Sequence, residues 1–204
     1  MSPRVDEQNQ QIRDIRKQQL LAAGAKVFGE RGYAGTKVSD IVGEAQLSHG
    51  LIYHYFSSKE DIYVELAKTA FITSYETIHQ AVHSNGSPYE RLKAMTEGIF
   101  AHTRESGYFF LIALQTNTSK TVPEEASAIS KEYSAKSLKL LKHLFQQGQE
   151  QGEFIKVDPS EQALMYSSLL NGVVFTQLTY PLLEDFPQVD QILRIFIDTS
   201  SLKE

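Results

Sequence analysis

Hydrogen-bonding side chains cluster in residues 48–55, which read SHGLIYHY. Ile52 and Phe56 are four residues apart, so on a short helix both fall on one inward face. The opposite face then carries Gly50, Leu51, Tyr53 and His54. Phenol and imidazole groups donate hydrogen bonds to phosphate oxygens and to base acceptors. A short helix with such an outer face is expected to bind a partner.

A second short helix precedes this one. Its apolar residues recur at the spacing i, i+3, i+4, i+7, in Val38, Ile41, Val42 and Ala45. Residues 46–48 interrupt the pattern, and Ser48 can cap the helix that follows. Two short helices joined by a three-residue turn are the layout of a helix-turn-helix DNA-binding motif. Because two such helices cannot bury a core alone, a preceding helix over residues 12–31 must supply a third wall. Its apolar side would be Leu20, Leu21, Gly24, Val27 and Phe28.

This segment resembles the tetracycline-repressor (TetR) family at many positions within about thirty residues. They are Gly32, Tyr33, Thr36, Ile41, Ala45, Ser48, Gly50, Ile52, Tyr53, Tyr55, Phe56, Lys59, Glu60 and Ile62. Two positions depart from the family pattern. Gln46 stands in the turn where the family has Gly, and a left-handed residue other than Gly costs on the order of 1 kcal/mol. Val42 stands where the family prefers Ala.

The resemblance implies which residues contact DNA. Gly50 and Leu51 would face base edges, where Leu51 could meet a thymine methyl group. The other expected contacts, mainly to phosphates, are Thr36, Lys37, Ser48, His49, Tyr53, His54, Tyr55 and Lys59. Two alternatives stay open at this point. Tyr53 could pack against the first helix, and Leu51 could be an ordinary exposed leucine.

The composition describes an ordinary globular protein of 204 residues with 41% hydrophobic and 22% charged residues. With no cysteine, the chain has no disulfides and no thiolate chemistry. It offers no Gly-rich phosphate loop, nucleophile elbow or paired-carboxylate motif, so it is not expected to be an enzyme or to need a cofactor. The N-terminus has no apolar signal region and no segment approaches 18 apolar residues, which predicts a cytoplasmic protein without membrane spans.

Charge is unevenly distributed along the chain. Residues 1–68 carry nine Lys and Arg and nine Asp and Glu, so the formal net charge of −5 falls on the remainder. A neutral DNA-binding segment must gain its affinity from the local placement of its cations near phosphates. The candidates are Arg4, Arg13, Arg16, Lys17, Lys37 and Lys59. The plain alternative for each is a solvated position on a helix surface.

Start and stop signals divide the chain into about nine helices, which predicts an all-α fold. We expect a three-helix helix-turn-helix domain over residues 9–62 and a helical effector-binding and dimerisation domain over residues 63–204. A long fourth helix would run from the capping box at Ser57 to about Ser84. The next would end at Ser106 and Gly107, followed by a short helix over residues 108–116. The last would run to about Ser200.

The last two predicted helices carry more apolar surface than one subunit needs. In the family, the corresponding helices pair with their copies, so the resemblance implies a homodimer through these two helices. The alternative is that they are simply core. Two helix-turn-helix domains in one dimer would occupy successive major grooves, and the DNA operator should then be an inverted repeat.

The second domain is rich in aromatic residues, which is consistent with a pocket for a small apolar or aromatic effector. Its expected contacts are Phe71, Tyr75, Phe100, Phe110, Asn171 and Phe175. His79 and His83, four residues apart, could form half of a metal site, and His102 is a further histidine in the same domain, but the remaining ligands cannot be named. A surface position is favoured for both residues, and no metal is expected. The chain is therefore expected to be a ligand-responsive repressor. The alternative is a helical interaction protein whose DNA-binding motif is vestigial.

Overall fold

The computed structural model describes residues 3–180 and 188–198. Side chains are described from residue 10 onward within those ranges, except at residues 102 and 104–106. These residues form eight α-helices, a short 3-10 helix and no strand beyond one isolated bridge, as the predicted all-α fold requires. The helices are α1 (Pro3–Gly35), α2 (Val38–Ala45), α3 (His49–Ile52), α4 (Lys59–His83), α5 (Pro88–Thr118), α6 (Glu124–Glu150), α7 (Pro159–Thr179), α8 (Val189–Leu193) and the 3-10 helix Arg194–Phe196.

The chain divides into two compact units. The first comprises the described residues up to Phe71 together with Tyr108–Lys131, and the second comprises Ile72–Gly107 together with the described residues from Glu132 onward. Each unit therefore contains part of α4, α5 and α6. The expected DNA-binding domain over residues 9–62 lies wholly within the first unit. The domain bounds inferred from the sequence stay a prediction.

The first unit is built on the apolar face of α1. Leu20 and Phe28 are fully buried, and Ile41 of α2 and Ile52 of α3 are buried with them. Gly24 allows α1 and α4 to approach closely, since a Cβ atom there would lie only 3.1 Å from Cγ2 of Ile62. The prediction that α1 supplies the third wall of this domain is confirmed.

An aromatic cluster fills the core of the second unit. The Phe145 ring centroid lies 5.2 Å from that of Phe154, 5.8 Å from that of Tyr166 and 5.7 Å from that of Phe196. The buried Tyr166 hydroxyl lies 2.8 Å from the Thr96 hydroxyl. A buried phenol needs such a partner, because leaving its hydroxyl without a hydrogen bond would lower the free energy of unfolding by the full cost of removing that group from water.

Two helix boundaries inferred from the sequence are wrong. Helix α5 continues through Ser106 and Gly107 to Thr118, so there is no separate helix over residues 108–116. Gly107 instead lies where the Leu178 side chain leaves no room for a Cβ atom. In this position glycine serves close packing and not helix termination.

The last helix is also shorter than predicted. After Phe196 the chain becomes extended, and Ile155 and Asp198 donate backbone hydrogen bonds that close a small bridge beside Phe154. This pairing fixes residues 197 and 198 outside any helix. The predicted end at Ser200 lies outside the described residues.

No helix within the described ranges is both long and apolar enough to cross a lipid bilayer.

Candidate nucleic-acid interface

The turn between α2 and α3 is fixed by a left-handed residue. Gln46 has φ 54° and ψ 39°, the only positive φ at a non-glycine residue in the described part of the chain. Its backbone N–H donates to the Gly43 carbonyl at 3.2 Å, and that of Leu47 donates to the Val42 carbonyl at 3.2 Å. This pair of bonds is a Schellman motif, which closes a helix C-terminus. The prediction that the turn is kept without glycine is confirmed.

Helix α3 has one buried and one exposed face. Ile52 is 1% exposed and Phe56 is 7% exposed, whereas Tyr53 is 53% exposed. His49, Gly50 and His54 are exposed with Tyr53, as is Ser48 before the helix, while Leu51 and Tyr55 are half-buried. The alternative that Tyr53 packs against the first helix is therefore wrong. The orientation expected from the spacing is confirmed for Gly50, Tyr53 and His54, while Leu51 is only partly exposed.

Most polar side chains on this face make no hydrogen bond within the described residues. Ser48 occupies the N-cap position of α3, but its hydroxyl makes no capping hydrogen bond, contrary to expectation. The Tyr53 ring centroid lies 5.6 Å from that of His49, so these two rings form an exposed pair. The face thus presents hydroxyl and imidazole groups beside Gly50, where no atom of the described residues lies within 4 Å of the position of a Cβ. Such a surface can approach a polyanion closely and donate hydrogen bonds to it.

Lys37 extends the surface at the start of α2. Its side chain is exposed, and it makes no ion pair within the part of the chain that the structure describes. Its backbone N–H is satisfied by Asp40 Oδ2 at 2.9 Å, a hydrogen bond that holds the first turn of α2. The ammonium group of Lys37 is therefore available to a phosphate.

Thr36 does not fit the role inferred for it. Its side chain is 1% exposed, and its hydroxyl donates to the Gly32 carbonyl at 2.8 Å. Its backbone N–H is directed to the Tyr33 carbonyl. With both donors used inside the domain, Thr36 closes the end of α1 and has no free donor for DNA.

Lys59 is also turned inward, which corrects the expected phosphate contact. Its Nζ donates to the carbonyls of Tyr33 and Thr36, each at 2.9 Å, and lies 4.3 Å from the Tyr33 ring centroid. Two of the three ammonium hydrogens and the ring face are thus engaged within the unit. Lys59 joins the start of α4 to the end of α1 and so positions the first residues of α2.

The aromatic cluster that packs near Lys59 was not predicted from the sequence. The Tyr63 ring lies edge-on to Phe28 and to Tyr33, with both pairs of centroids 5.1 Å apart. The Tyr63 hydroxyl lies 3.1 Å from the hydroxyl of Thr116, a residue of α5. Burial raises the pKa of Tyr63, so its hydroxyl stays protonated. No local pattern signals this cluster, because Thr116 is distant in sequence.

Several charges near the motif are already paired. Lys17 Nζ lies 2.8 Å from Glu65, Lys26 Nζ lies 2.8 Å from Glu44, and Arg31 lies 3.3 Å from Asp40. Arg16 donates to the Gln19 side chain at 2.8 Å. Among the cations considered for phosphate contact, Lys37 and Arg13 make no side-chain hydrogen bond or ion pair within the described residues. The side chain of Arg4 lies outside the described residues.

The expected effector contacts do not form one described site. Phe71 and Phe110 belong to the first unit, and Phe71 is buried. Tyr75 and the half-buried Phe100 belong to the second unit, where the Tyr75 ring lies 5.7 Å from that of Tyr133. The remaining two, Asn171 and Phe175, lie exposed on α7.

The two histidines of α4 contact each other. Their ring centroids lie 4.2 Å apart, and His83 Nδ1 lies 2.7 Å from the His79 carbonyl oxygen. In the described ranges, no three His, Cys, Asp or Glu residues are grouped so that they could hold a metal ion. The side chain of His102 lies outside the described residues.

Comparison with known proteins places the first unit in a recognised class. Residues 20–66 match the family model for bacterial regulatory proteins of the tetR family. The chain is 28% identical over 189 residues to an uncharacterised helix-turn-helix transcriptional regulator, YfiR of Bacillus subtilis, covering 88% of this chain and 87% of the relative.

Solved structures resemble most of the chain. The TetR-family regulator PfmR of Thermus thermophilus superposes with a TM-score of 0.70 at 26% identity, covering 86% of this chain and 92% of PfmR. The regulator FadR of Bacillus subtilis, solved in complex with stearoyl-CoA, superposes with a TM-score of 0.67 at 22% identity, covering 87% of this chain and 94% of FadR.

Proposed function

Since the chain belongs to the TetR family of transcriptional regulators, we propose that it is a repressor that binds an inverted-repeat DNA operator as a homodimer. A small apolar or aromatic effector would release it. The observation that carries the DNA-binding proposal is the exposed outer face of α3, opposite the buried Ile52 and Phe56. A face of hydroxyl and imidazole groups on a short helix is suited to the DNA major groove.

The residues on this surface have distinct parts in the proposed binding. Gly50 lets the α3 backbone approach the base edges, and Leu51 offers an apolar contact to a thymine methyl group. Tyr53 and Lys37 bind phosphates and so fix the register of α3 in the groove. The remaining donors on this surface are Ser48, His49, His54 and Tyr55. Thr36 and Lys59 act indirectly, because they hold α1, α2 and α4 together.

A continuous exposed face of α7 supports the homodimer. Leu164 is 56% exposed and Phe175 45%, and their spacing of eleven residues places them on the same side of the helix, while Met165, 57% exposed, borders that side. At Gly172, no atom of the described residues lies within 4 Å of the position of a Cβ, so another helix can approach there. Large exposed apolar side chains on one side of a helix favour burial against a second subunit.

The last helix can contribute less to this contact than the sequence suggested. Ile192, Leu193 and Phe196 are buried in the core of their own unit, and Ile195 is exposed at 56%. We therefore assign the subunit contact mainly to α7, with Ile195 added from the terminal segment. Asn171 and Phe175, expected as effector contacts, fit this subunit surface better because of their exposure.

The effector proposal rests on the aromatic content of the chain and on a structural relative. Tyr75, Phe100 and Phe110 keep part of their ring surface accessible, and FadR was solved with an acyl-CoA, whose chain is apolar. A ligand that prefers one arrangement of the two DNA-binding domains would shift the population away from the DNA-bound state.

Selection from a random DNA library followed by sequencing tests the DNA-binding proposal. We expect the purified protein to enrich an inverted repeat, and the Tyr53→Ala/Lys37→Ala variant to lose this enrichment because two phosphate contacts are removed. The control is Lys139→Ala, which removes an exposed lysine of α6. It should select the same repeat. If wild type and variant enrich nothing, the DNA-binding motif is vestigial and the chain is an interaction protein.

A further inference from the structure

A polar cavity lies in the first unit, where α5 ends and α6 begins. It has a volume of about 450 Å³, and its walls come from the last turn of α5, the connecting segment and the first two turns of α6. This volume would hold a small molecule, and the cavity is partly open to solvent. None of the residues expected to bind the effector lines it.

Two lysines at this cavity lack a counter-charge. Lys120 and Lys131 both line it and are both exposed, and neither makes an ion pair within the described part of the chain. The neighbouring Glu125 is already paired with Lys68 at 2.9 Å. Glu124 is the one carboxylate in the lining, so the cavity carries a net positive charge.

Fixed polar groups form the inner wall. Thr116 is 4% exposed, and its hydroxyl donates to the Ile112 carbonyl at 2.7 Å, which leaves its oxygen directed to Tyr63. Ser130 is 3% exposed and donates to Asn117 Oδ1. These bonds hold the side chains of Thr116 and Ser130 in place without a ligand. The half-buried hydroxyl of Ser127 adds a donor beside the lysines, whereas Ser119 Oγ already accepts from the Thr121 backbone N–H and lies 2.9 Å from the Thr121 hydroxyl.

From this arrangement we infer a second ligand site, which binds a small organic anion through a carboxylate or phosphate group held by Lys120 and Lys131. Glu124 and Ser127, from the first turn of α6, line the cavity, so the positive end of that helix dipole lies beside it. Val122 is the one large apolar residue in the lining, so the organic part of the ligand is small or polar. Glu124 repels the anionic group and directs it to the lysine side.

The site lies in the same unit as the proposed DNA-binding surface. Thr116 joins its wall to Tyr63, whose ring packs against Phe28 and Tyr33. Binding of the anion itself does not depend on the proposed function, so it can be tested on the protein without DNA.

Titration of the ¹⁵N-labelled full-length chain with inorganic phosphate and, separately, with malonate tests the inference at constant ionic strength. We expect saturable shifts of the backbone amides of residues 116–131 with at least one probe. The tighter probe then identifies the group as a phosphate or a carboxylate. The Lys120→Ala/Lys131→Ala variant should bind at least about tenfold more weakly, since it loses two charged hydrogen bonds.

Two further variants make the result decisive. Glu124→Gln should bind about two- to threefold more tightly, because it removes a repelling charge from the lining. Lys139→Ala/Lys142→Ala removes the same two charges from exposed positions of α6 outside the cavity, and should leave the affinity unchanged. Shifts that never saturate, or that are equal in all four proteins, would overturn the inference and indicate general screening of surface charge.

Discussion

Single residues decide how the DNA-binding surface is held and what it can contact. Lys59 and Thr36 were expected to bind DNA, but their donors satisfy the carbonyls of Tyr33 and Gly32 inside the domain. This use could not be inferred from residue type, because a lysine that closes a helix end and a lysine that binds phosphate look alike in sequence. Lys37 differs in that its ammonium group has no internal partner among the described residues.

Gln46 offers a prediction at the residue scale. Its left-handed backbone is strained for any residue with a Cβ, and glycine adopts it without cost. We expect Gln46→Gly to raise the free energy of unfolding by roughly 0.5–1 kcal/mol, measured by urea denaturation. Gln46→Ala serves as the control, because it removes the side chain and retains the strained backbone. An equal gain in both variants would show that the side chain, and not the backbone, is the source of strain.

At the scale of elements, periodicity and capping signals predicted most of the architecture. They placed α2 and α3, the inward Ile41 and Ile52, and the apolar wall of α1 in agreement with the structure. These features depend on local spacing. The continuity of α5 and the short α8 depend instead on packing, since Gly107 lies against Leu178 and the segment after Phe196 pairs beside Phe154. No local signal in the sequence reports such distant contacts.

The candidate site was predictable to a similar degree. The outward direction of Tyr53 and His54 followed from the helical spacing, and the structure agrees. The positioning role of Lys59 and its aromatic support did not follow, because Tyr63 meets Thr116 only through the tertiary fold. The apolar residues of the last two helices were similarly ambiguous, because the sequence does not distinguish core packing from a subunit contact. In the structure, α7 leaves several of them exposed and α8 buries Ile192 and Leu193.

The exposed face of α7 gives a prediction at the element scale. We expect Leu164→Arg/Phe175→Arg to convert a dimer into a monomer, because two charges would have to be buried in an apolar contact. Sedimentation velocity at micromolar concentration measures the change. Ile15→Arg is the matched control, since Ile15 is 61% exposed on α1, and it should remain dimeric. A wild-type protein that sediments as a monomer at all concentrations would remove α7 as a subunit contact.

At the scale of the whole molecule, the proposed DNA-binding surface belongs to the first unit and the proposed subunit contact on α7 belongs to the second. Two copies related by a twofold axis would present two α3 helices, and the operator would then share that symmetry. The uneven charge agrees with this arrangement, because the net charge of −5 lies outside residues 1–68. Affinity for DNA would then come from a few local contacts, with a correspondingly modest dependence on salt.

The measurement that tests the central claim most directly is a change of DNA specificity at Leu51. Library selection would be run with the Leu51→Gln variant and the wild type. We expect the variant to prefer a different base at one position in each half of the inverted repeat. That base should be adenine, because a glutamine amide forms two hydrogen bonds with the adenine edge. A symmetric change of this kind would place α3 in the major groove of both half-sites. An unchanged operator, bound with unchanged affinity by the variant, would contradict the assignment of α3 as the element that reads the DNA sequence.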